Sequence, residues 1–294
     1  MDQAQQLRNL IRQHQLKERS ENVARVITVT SGKGGVGKSN VSVNLAIQLR
    51  KMGKRVVILD ADFGLANVEV MFGTIPKYTL KDVFEGGKNI KDVLTEGPMG
   101  VMFVSGGTGI AGLADLSKEQ LNHLTRNLAE LDEMADVIIV DTGAGISDSV
   151  LEFVAAGSEV LLVATAEPTS LTDSYSLLKA LHNYEKFSTD RTTIKVVANK
   201  VFTAAEGRSV YTKLSVVCEK FLHMPIFFLG VVPQDEHVLK SVIKQVPVSI
   251  NAPNAKSSRA YEKLARNLMD EEGKKDTNAA GLRGLFANYL KKTF

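Results

Sequence analysis

The strongest constraint on the fold is a series of unbroken apolar runs rich in β-branched residues. They are "RVITVT" 25–30, "RVVILD" 55–60, "GVMFVS" 100–105, "DVIIVD" 136–141, "EVLLVA" 159–164, "IKVVAN" 194–199 and "IFFLGVV" 226–232. A strand with one wet face alternates apolar and polar residues, so runs without alternation belong to strands covered on both faces. Segments of helical length separate them, at 38–52, 117–134, 169–186, 206–222 and 256–272. The alternation predicts an α/β domain over residues 22–272, a doubly wound, mostly parallel sheet with helices on both faces. At 294 residues, 44% of them hydrophobic, the chain can fill such a core.

Three segments fall outside that domain: a polar, helical arm at 1–21, a linker at 273–280 and a tail at 281–294. The chain holds 36 Lys and Arg against 33 Asp and Glu, a net +3 too small to imply nucleic acid as a partner. The tail carries Arg283, Lys291 and Lys292 and no acid, so it accounts for the whole excess. Cys218 is the only cysteine, which excludes an intrachain disulfide and a Cys-ligated metal site within one chain and fits a cytoplasmic setting. The first residues lack an apolar core segment, so no secretory signal is expected. No run of about 18 apolar residues exists to span a membrane.

Between the first apolar run and the helical "VSVNLAIQLRK" lies "SGKGGVGKSN", 31–40, in which Gly32, Gly37, Lys38 and Ser39 satisfy G-x-x-x-x-G-K-S. The glycines of this loop let backbone N–H groups face phosphate oxygens, and the helix N-terminus adds partial positive charge. Lys38 pairs with the outer phosphates, and the Ser39 hydroxyl ligates Mg²⁺. Two further strand ends offer carboxylates. Asp60 and Asp62 in "LDADFGLAN" point to one side of an extended chain, one to hold the metal's water shell and the other to orient an attacking water. Asp141 in "DTGAG" suits a metal-side acid before a γ-phosphate sensor loop; helix capping is the plainer role open to each. A guanine reader would be N-K-x-D, but Asn199 and Lys200 are followed by Phe202 where the aspartate should stand, so ATP is the expected nucleotide.

The loop also has a second lysine, Lys33, two residues before Gly35. With "DADFGLAN", "DTGAG", "ANK" and "GVVPQDEHV", the stretch "KGGVGKS" resembles the deviant Walker A ATPases of the MinD and ParA group, P-loop NTPases of the SIMIBI class, over about residues 24–270. In that group the first lysine reaches the partner's phosphates, so ATP holds two subunits together and hydrolysis releases them. The resemblance implies that residues 32–40 (Gly32, Lys33, Gly34, Gly35, Val36, Gly37, Lys38, Ser39, Asn40) hold ATP or ADP. It makes Lys33, Lys38 and Asp62 catalytic, Asp62 by orienting water. Ser39, Asp60 and Asp141 serve Mg²⁺. Asn199 contacts adenine beside Lys200, with Pro233 to Asp235 behind the base, and Glu167 touches the partner's nucleotide. Two positions depart from the group's pattern: Asn40 replaces the usual second hydroxyl, and Gly143 replaces a proline, which is expected to loosen the switch loop.

At the ends the resemblance narrows. "DQAQQLR", with Asp2, Gln3, Ala4, Leu7 and Arg8, is similar to the D-Q-A-x-x-L-R motif heading flagellar MinD-like proteins of the FlhG (YlxH, FleN) type. That similarity implies binding and stimulation of an FlhF-type signal-recognition GTPase, and contact with switch-ring proteins of the FliM and FliY kind. In the tail, Leu282, Leu285, Phe286, Tyr289 and Leu290 fall on one helical stripe, with Arg283 and Lys292 flanking it and Lys291 opposite. Fourteen helical residues span about 21 Å, enough to lie on an anionic membrane surface but not to cross one. The plainer role for such a helix is packing on its own core.

The expectation is thus a dimerising, membrane-recruited ATPase switch controlling flagellar number and placement, peripheral on the inner face of the cell membrane in its ATP state. A MinD-type division-site regulator would share the core and tail but not the arm. A ParA-like partitioning ATPase would need a basic DNA-binding face. An iron–sulfur carrier would need more cysteines, and a tyrosine kinase more tail tyrosines than Tyr289.

Overall fold

The computed structural model describes residues 23–62, 67–85, 87–107, 118–270 and 281–282. In chain order the elements are β1 (Arg25–Ser31), α1 (Lys38–Lys51), β2 (Val56–Ala61), α2 (Asn67–Phe72), α3 (Leu80–Phe84), α4 (Ile90–Val93), β3 (Thr95–Glu96) and β4 (Met102–Val104). Then come α5 (Lys118–Ala129), α6 (Leu131–Met134), β5 (Val137–Ala144), α7 (Asp148–Ala156), β6 (Glu159–Ala164) and α8 (Pro168–His182). The last are β7 (Thr193–Val201), α9 (Ala204–Leu222), β8 (Phe227–Pro233), α10 (Glu236–Ile243), α11 (Val248–Asn251) and α12 (Lys256–Asp270).

Every apolar run read from the sequence is a strand. One sheet has the order β3-β4-β2-β5-β1-β6-β7-β8, and only the short edge pair β3 and β4 is antiparallel. Side chains of successive strand residues enter opposite layers: Ile27, Ile58, Ile139 and Leu161 pack with α1 and α12, while Val26, Val57, Ile138 and Val140 pack with α3 to α6. That double coverage is why the runs do not alternate. Each fully buried Ile or Leu in these layers contributes about 1.5–3 kcal/mol.

The strand order decides where a ligand can sit. From β1 the chain moves outward to β2 and β4, returns to insert β5 beside β1, and then builds β6, β7 and β8 on the other side. Loops after β1, β5 and β6 therefore diverge at the carboxyl ends of the central strands and leave a crevice there.

Helix α1 is buried nearly all round, its Ser42, Asn44 and Gln48 included. Asn44 Oδ1 accepts from Ser249 N at 2.9 Å, and Gln48 Nε2 donates to Ser249 Oγ at 3.1 Å and to the Ser258 carbonyl at 3.2 Å, pinning α1 to α11 and α12. The tail is corrected at its root. Leu282, expected on a membrane-facing stripe, is fully buried in the cluster holding Leu128, Leu131 and Ile138, and its N–H donates to Asp132 Oδ1 at 2.7 Å. Core and lipid would remove the leucine from water about equally, and the hydrogen bond to Asp132 is what holds it in the core. Arg283, Leu285, Phe286, Tyr289, Leu290, Lys291 and Lys292 lie outside the described residues, as do the arm residues Asp2, Gln3, Ala4, Leu7 and Arg8.

Candidate nucleotide site

The glycine-rich loop leaves β1 through Ser31, whose Oγ donates to the Lys33 carbonyl at 3.0 Å and whose carbonyl accepts from Gly145 N at 2.9 Å. Gly32 is required by close approach: a Cβ there would lie 2.3 Å from the backbone of Asp173 in α8. Gly37, at φ +94°, is the N-cap of α1, a conformation that glycine takes without a steric penalty. Val36 turns inward and is buried. The free N–H groups at the start of α1, with its dipole, make an anion site.

Behind the loop the sheet brings charges together in the interior. Lys38 Nζ lies 3.0 Å from Asp141 Oδ1, and the two side chains are only 7% and 0% exposed. Ser42 Oγ donates to the same oxygen at 2.8 Å, while Asp141 Oδ2 is buried with no hydrogen-bond partner. Asp60 sits opposite Asp141 across the β2/β5 register. It accepts from the backbone N–H of Asp62 and of Val68, each at 3.2 Å. Burial first, and then the charge of Asp141, push the Asp60 carboxyl up to about 7, against the pull of those bonds and of Lys38. Two carboxylates and one ammonium thus share a dry space beneath the loop, one oxygen still unsatisfied. Among the described residues no group of three His, Cys, Asp or Glu side chains is placed to hold a metal ion.

Around the mouth, a cleft of about 560 Å³ is lined by the loop, by Asp62, by Asn199 and Lys200 at the end of β7, and by Pro233 and Asp235. That volume suits a nucleotide-sized ligand. Asn67 Nδ2 donates to Asp62 Oδ2 at 3.3 Å, and Asp62 lies beside Gly143. Gly143 itself continues β5, and the left-handed turn falls at Gly145, φ +93°. Asn199 Nδ2 reaches the Val36 carbonyl at 2.7 Å, so its amide nitrogen braces the loop. Asp235 is a double cap: Oδ1 accepts from His237 N and lies 2.9 Å from His237 Nδ1, and Oδ2 accepts from Ser257 N and Oγ. Burial opposes its charge, but the bonds from Ser257 and His237 win and hold the carboxyl well below the usual carboxylate range. Ser39 is buried and Asn40 partly so, both lining the cleft.

Lys33 is placed differently. Its Nζ donates to Glu167 Oε2 at 3.1 Å and to Thr169 Oγ1 at 2.8 Å, at the start of α8 and on the surface. The structure thus pairs with each other two residues expected to face a partner's nucleotide. Sequence reading missed Met71, Val238, Leu239, Val242 and Tyr261, the apolar part of the lining of the same cleft. The hydrophobic spacing of 238–243 was its only signal. Reading also missed Ser42 on Asp141 and Thr169 on Lys33.

Comparison with known proteins agrees with this geometry. The ParA family model, described as "NUBPL iron-transfer P-loop NTPase", matches residues 22–269. The antiactivator FleN of Pseudomonas aeruginosa is 46% identical over 243 residues, 83% of this chain and 85% of its own. The flagellum site-determining protein YlxH of Helicobacter pylori is 31% identical over 297 aligned positions, covering 99% of this chain and 98% of its own. Among solved structures, the septum site-determining protein MinD of Pyrococcus horikoshii, complexed with Mg-ADP, shares the fold at a TM-score of 0.65 and 23% identity, over 85% of this chain and 98% of its own. A phosphate loop at the switch point of a parallel sheet, and a family match over most of its length, place the chain in the ParA family of P-loop NTPases, as an ATPase of the MinD type.

Proposed function

We propose that this ATPase is an ATP-dependent dimerising switch that associates with the membrane and regulates flagellar number and placement. The observation that carries it is the position of Lys33, which stands on the rim of the nucleotide cleft with its ammonium turned outward to Glu167 and Thr169. From there its ammonium bonds to the start of α8 and not to its own loop, and it can reach a second subunit once it releases Glu167. Large apolar side chains exposed in segments that follow the carboxyl ends of the strands support a face that closes on another copy. Phe202 follows β7, Ile146 follows β5, and Leu239 and Ile243 follow β8. Similarity over nearly the whole chain to YlxH, a flagellum site-determining protein, supports the flagellar assignment.

In this reading ATP lies with its phosphates on residues 32–40 and its base between Asn199 and the Pro233–Asp235 segment. Phosphate oxygens replace Asp141 as the partner of Lys38. The unsatisfied Asp141 Oδ2, the buried Asp60 and the Ser39 hydroxyl fit Mg²⁺, the first two through its water, which suits an ion that keeps most of its water shell. Bound there, Mg²⁺ would neutralise phosphate charge. Asp62, steadied by Asn67, orients the attacking water. Lys33 releases Glu167 and contacts the partner's phosphates, and Glu167 turns to the partner's nucleotide.

The arm 1–21 binds and stimulates an FlhF-type GTPase, and switch-ring proteins of the FliM and FliY kind are further partners. Among the described residues no helix is long and apolar enough to cross a membrane. Residues 283–294 form a surface-lying helix, and pairing two of them in the ATP dimer strengthens attachment by avidity. The active form is cytoplasmic and peripheral on the inner face of the membrane. Iron transfer, named in the family description, is disfavoured by the lone Cys218, buried and with its thiol pushed up to about 11 by that burial.

Light scattering with ATP and Mg²⁺ tests the core of this reading. The wild-type chain and Asp62→Ala are expected to dimerise, the latter persistently, and Lys33→Ala to remain monomeric. A monomeric Asp62→Ala overturns the mechanism. Deleting residues 1–20 should abolish stimulation of an FlhF-type GTPase. Co-sedimentation with anionic liposomes should be lost on truncation to 1–280 and weakened in ADP.

A further inference from the structure

Strand β7 ends in an irregularity aimed at the phosphate loop. Its register with β8 runs from Asn199 opposite Val232 to Val201 opposite Pro233, so Lys200 is the extra residue of a bulge. Lys200 has φ +57°, a left-handed conformation disfavoured for a residue with a long side chain. In a regular strand Asn199 and Lys200 would point to opposite faces of the sheet. The bulge brings both to one target. Asn199 Nδ2 donates to the Val36 carbonyl and Lys200 Nζ to the Gly35 carbonyl, each at 2.7 Å. The approach is close, since a Cβ on Gly37 would lie 2.4 Å from Asn199 Nδ2 and 3.8 Å from Lys200 Cε.

In a trans peptide the C=O and the next N–H point to opposite sides. Drawing the carbonyls of Gly35 and Val36 toward β7 therefore turns the N–H groups of Val36 and Gly37 the other way, as a concave set of donors for an anion. Without those two donors the glycines leave the peptide planes free to rotate, at φ +76° for Gly35 and +94° for Gly37. Backbone strain held next to a binding loop is the pattern expected where strain serves preorganisation.

We propose that Lys200 is a positioning residue for nucleotide binding, which acts by holding the Gly35 carbonyl and so presets the loop's N–H groups for phosphate, without touching the phosphates itself. The proposal rests on the nucleotide-binding reading of the cleft. It predicts equal effects on ATP and ADP, because the loop is preset before either arrives.

The test is titration of fluorescent ATP and ADP analogues into the full chain as wild type, Lys200→Gly and Lys200→Arg, with thermal midpoints measured without nucleotide. Glycine keeps the left-handed backbone and removes the whole side chain, amine and stem together, and the arginine variant restores a stem with a charged donor. Lys200→Gly should raise both Kd values about tenfold, as expected for loss of one charge-assisted hydrogen bond, and leave the midpoint within about 2 °C of wild type. Lys200→Arg should recover most of the affinity. Unchanged affinity in Lys200→Gly overturns the proposal, as does a loss confined to ATP, which would mark direct contact with the terminal phosphate. A midpoint that falls with no change in Kd also overturns it, by reducing Lys200 to a structural role. Failure of the wild type to bind either analogue would instead strike the nucleotide reading of the cleft.

Discussion

The two lysines of the phosphate loop stand five residues apart and inhabit different media. Lys38 is buried, ion-paired to a buried Asp141 and backed by Ser42. Lys33 and Glu167 are 36% and 64% exposed, and their 3.1 Å pair stands in water's dielectric. A buried pair that loses one member leaves an uncompensated charge in the core, whereas an exposed pair contributes little to stability. Lys38 therefore binds the fold to the site, and Lys33 is free to change partners. The same chemistry serves structure in one place and switching in the other because burial differs.

The contrast can be broken most directly at Lys38. Lys38→Met should cost about 3–5 kcal/mol by stranding Asp141, and calorimetry without nucleotide should show a midpoint lower by about 10 °C. Nucleotide binding should disappear as well. A midpoint close to wild type would mean that the interior pair is not what distinguishes the two lysines.

A smaller effect is expected at Asp235, a carboxylate satisfied by hydrogen bonds where Asp141 has a lysine. Asp235→Ala removes caps from α10 and α12 and should cost about 2–3 kcal/mol in chemical denaturation. Its folded-state pKa lies below the ordinary 3.8, so its contribution is present above about pH 4 and fades as pH falls through the folded value. The difference between wild type and Asp235→Ala should accordingly shrink as pH falls below about 4; a difference that grows in acid would contradict the capping role.

Gly32 joins the two regions by letting the loop lie against α8. Gly32→Ala forces its Cβ into the Asp173 backbone and should destabilise by about 1–3 kcal/mol while displacing the Lys33 end of the loop. The least effect on stability belongs to the rim. Glu167→Gln should shift unfolding by less than about 1 kcal/mol. It should nonetheless allow dimerisation at lower ATP concentration, by freeing Lys33 from its own subunit. Sedimentation velocity at graded ATP would show this, and dimerisation unchanged from wild type would mean that the surface pair holds nothing back.

Much of this arrangement is legible along the chain because its causes are local. Each apolar run became a strand, since two-sided burial writes itself as lack of alternation. The loop 31–40 carries its glycines, Lys38 and Ser39 in one short stretch between a strand and a helix. Other features are invisible there for an equally physical reason. The segments 67–72, 90–93 and 248–251 are too short to show a 3.6-residue period. Asn44 and Gln48 are polar and nothing local marks them as interior; partners at Ser249 and Ser258 place them there. Leu282 fits an apolar stripe equally well in a lipid surface or in its own core, and Asp132, far away in sequence, anchors it in the core.

Lys33 and Lys200 mark the boundary between the two kinds of information. Spacing alone established a parallel α/β sheet and a phosphate loop ending in Lys38, because periodicity and loop chemistry act within a few residues. Where Lys33 points was decided by α8, which presents Glu167 and Thr169 across more than 130 residues of chain. Which way Lys200 points was decided by a bulge against β8. Side-chain direction depends on what the folded neighbours leave open, and that is settled only when the sheet brings its distant strand ends together.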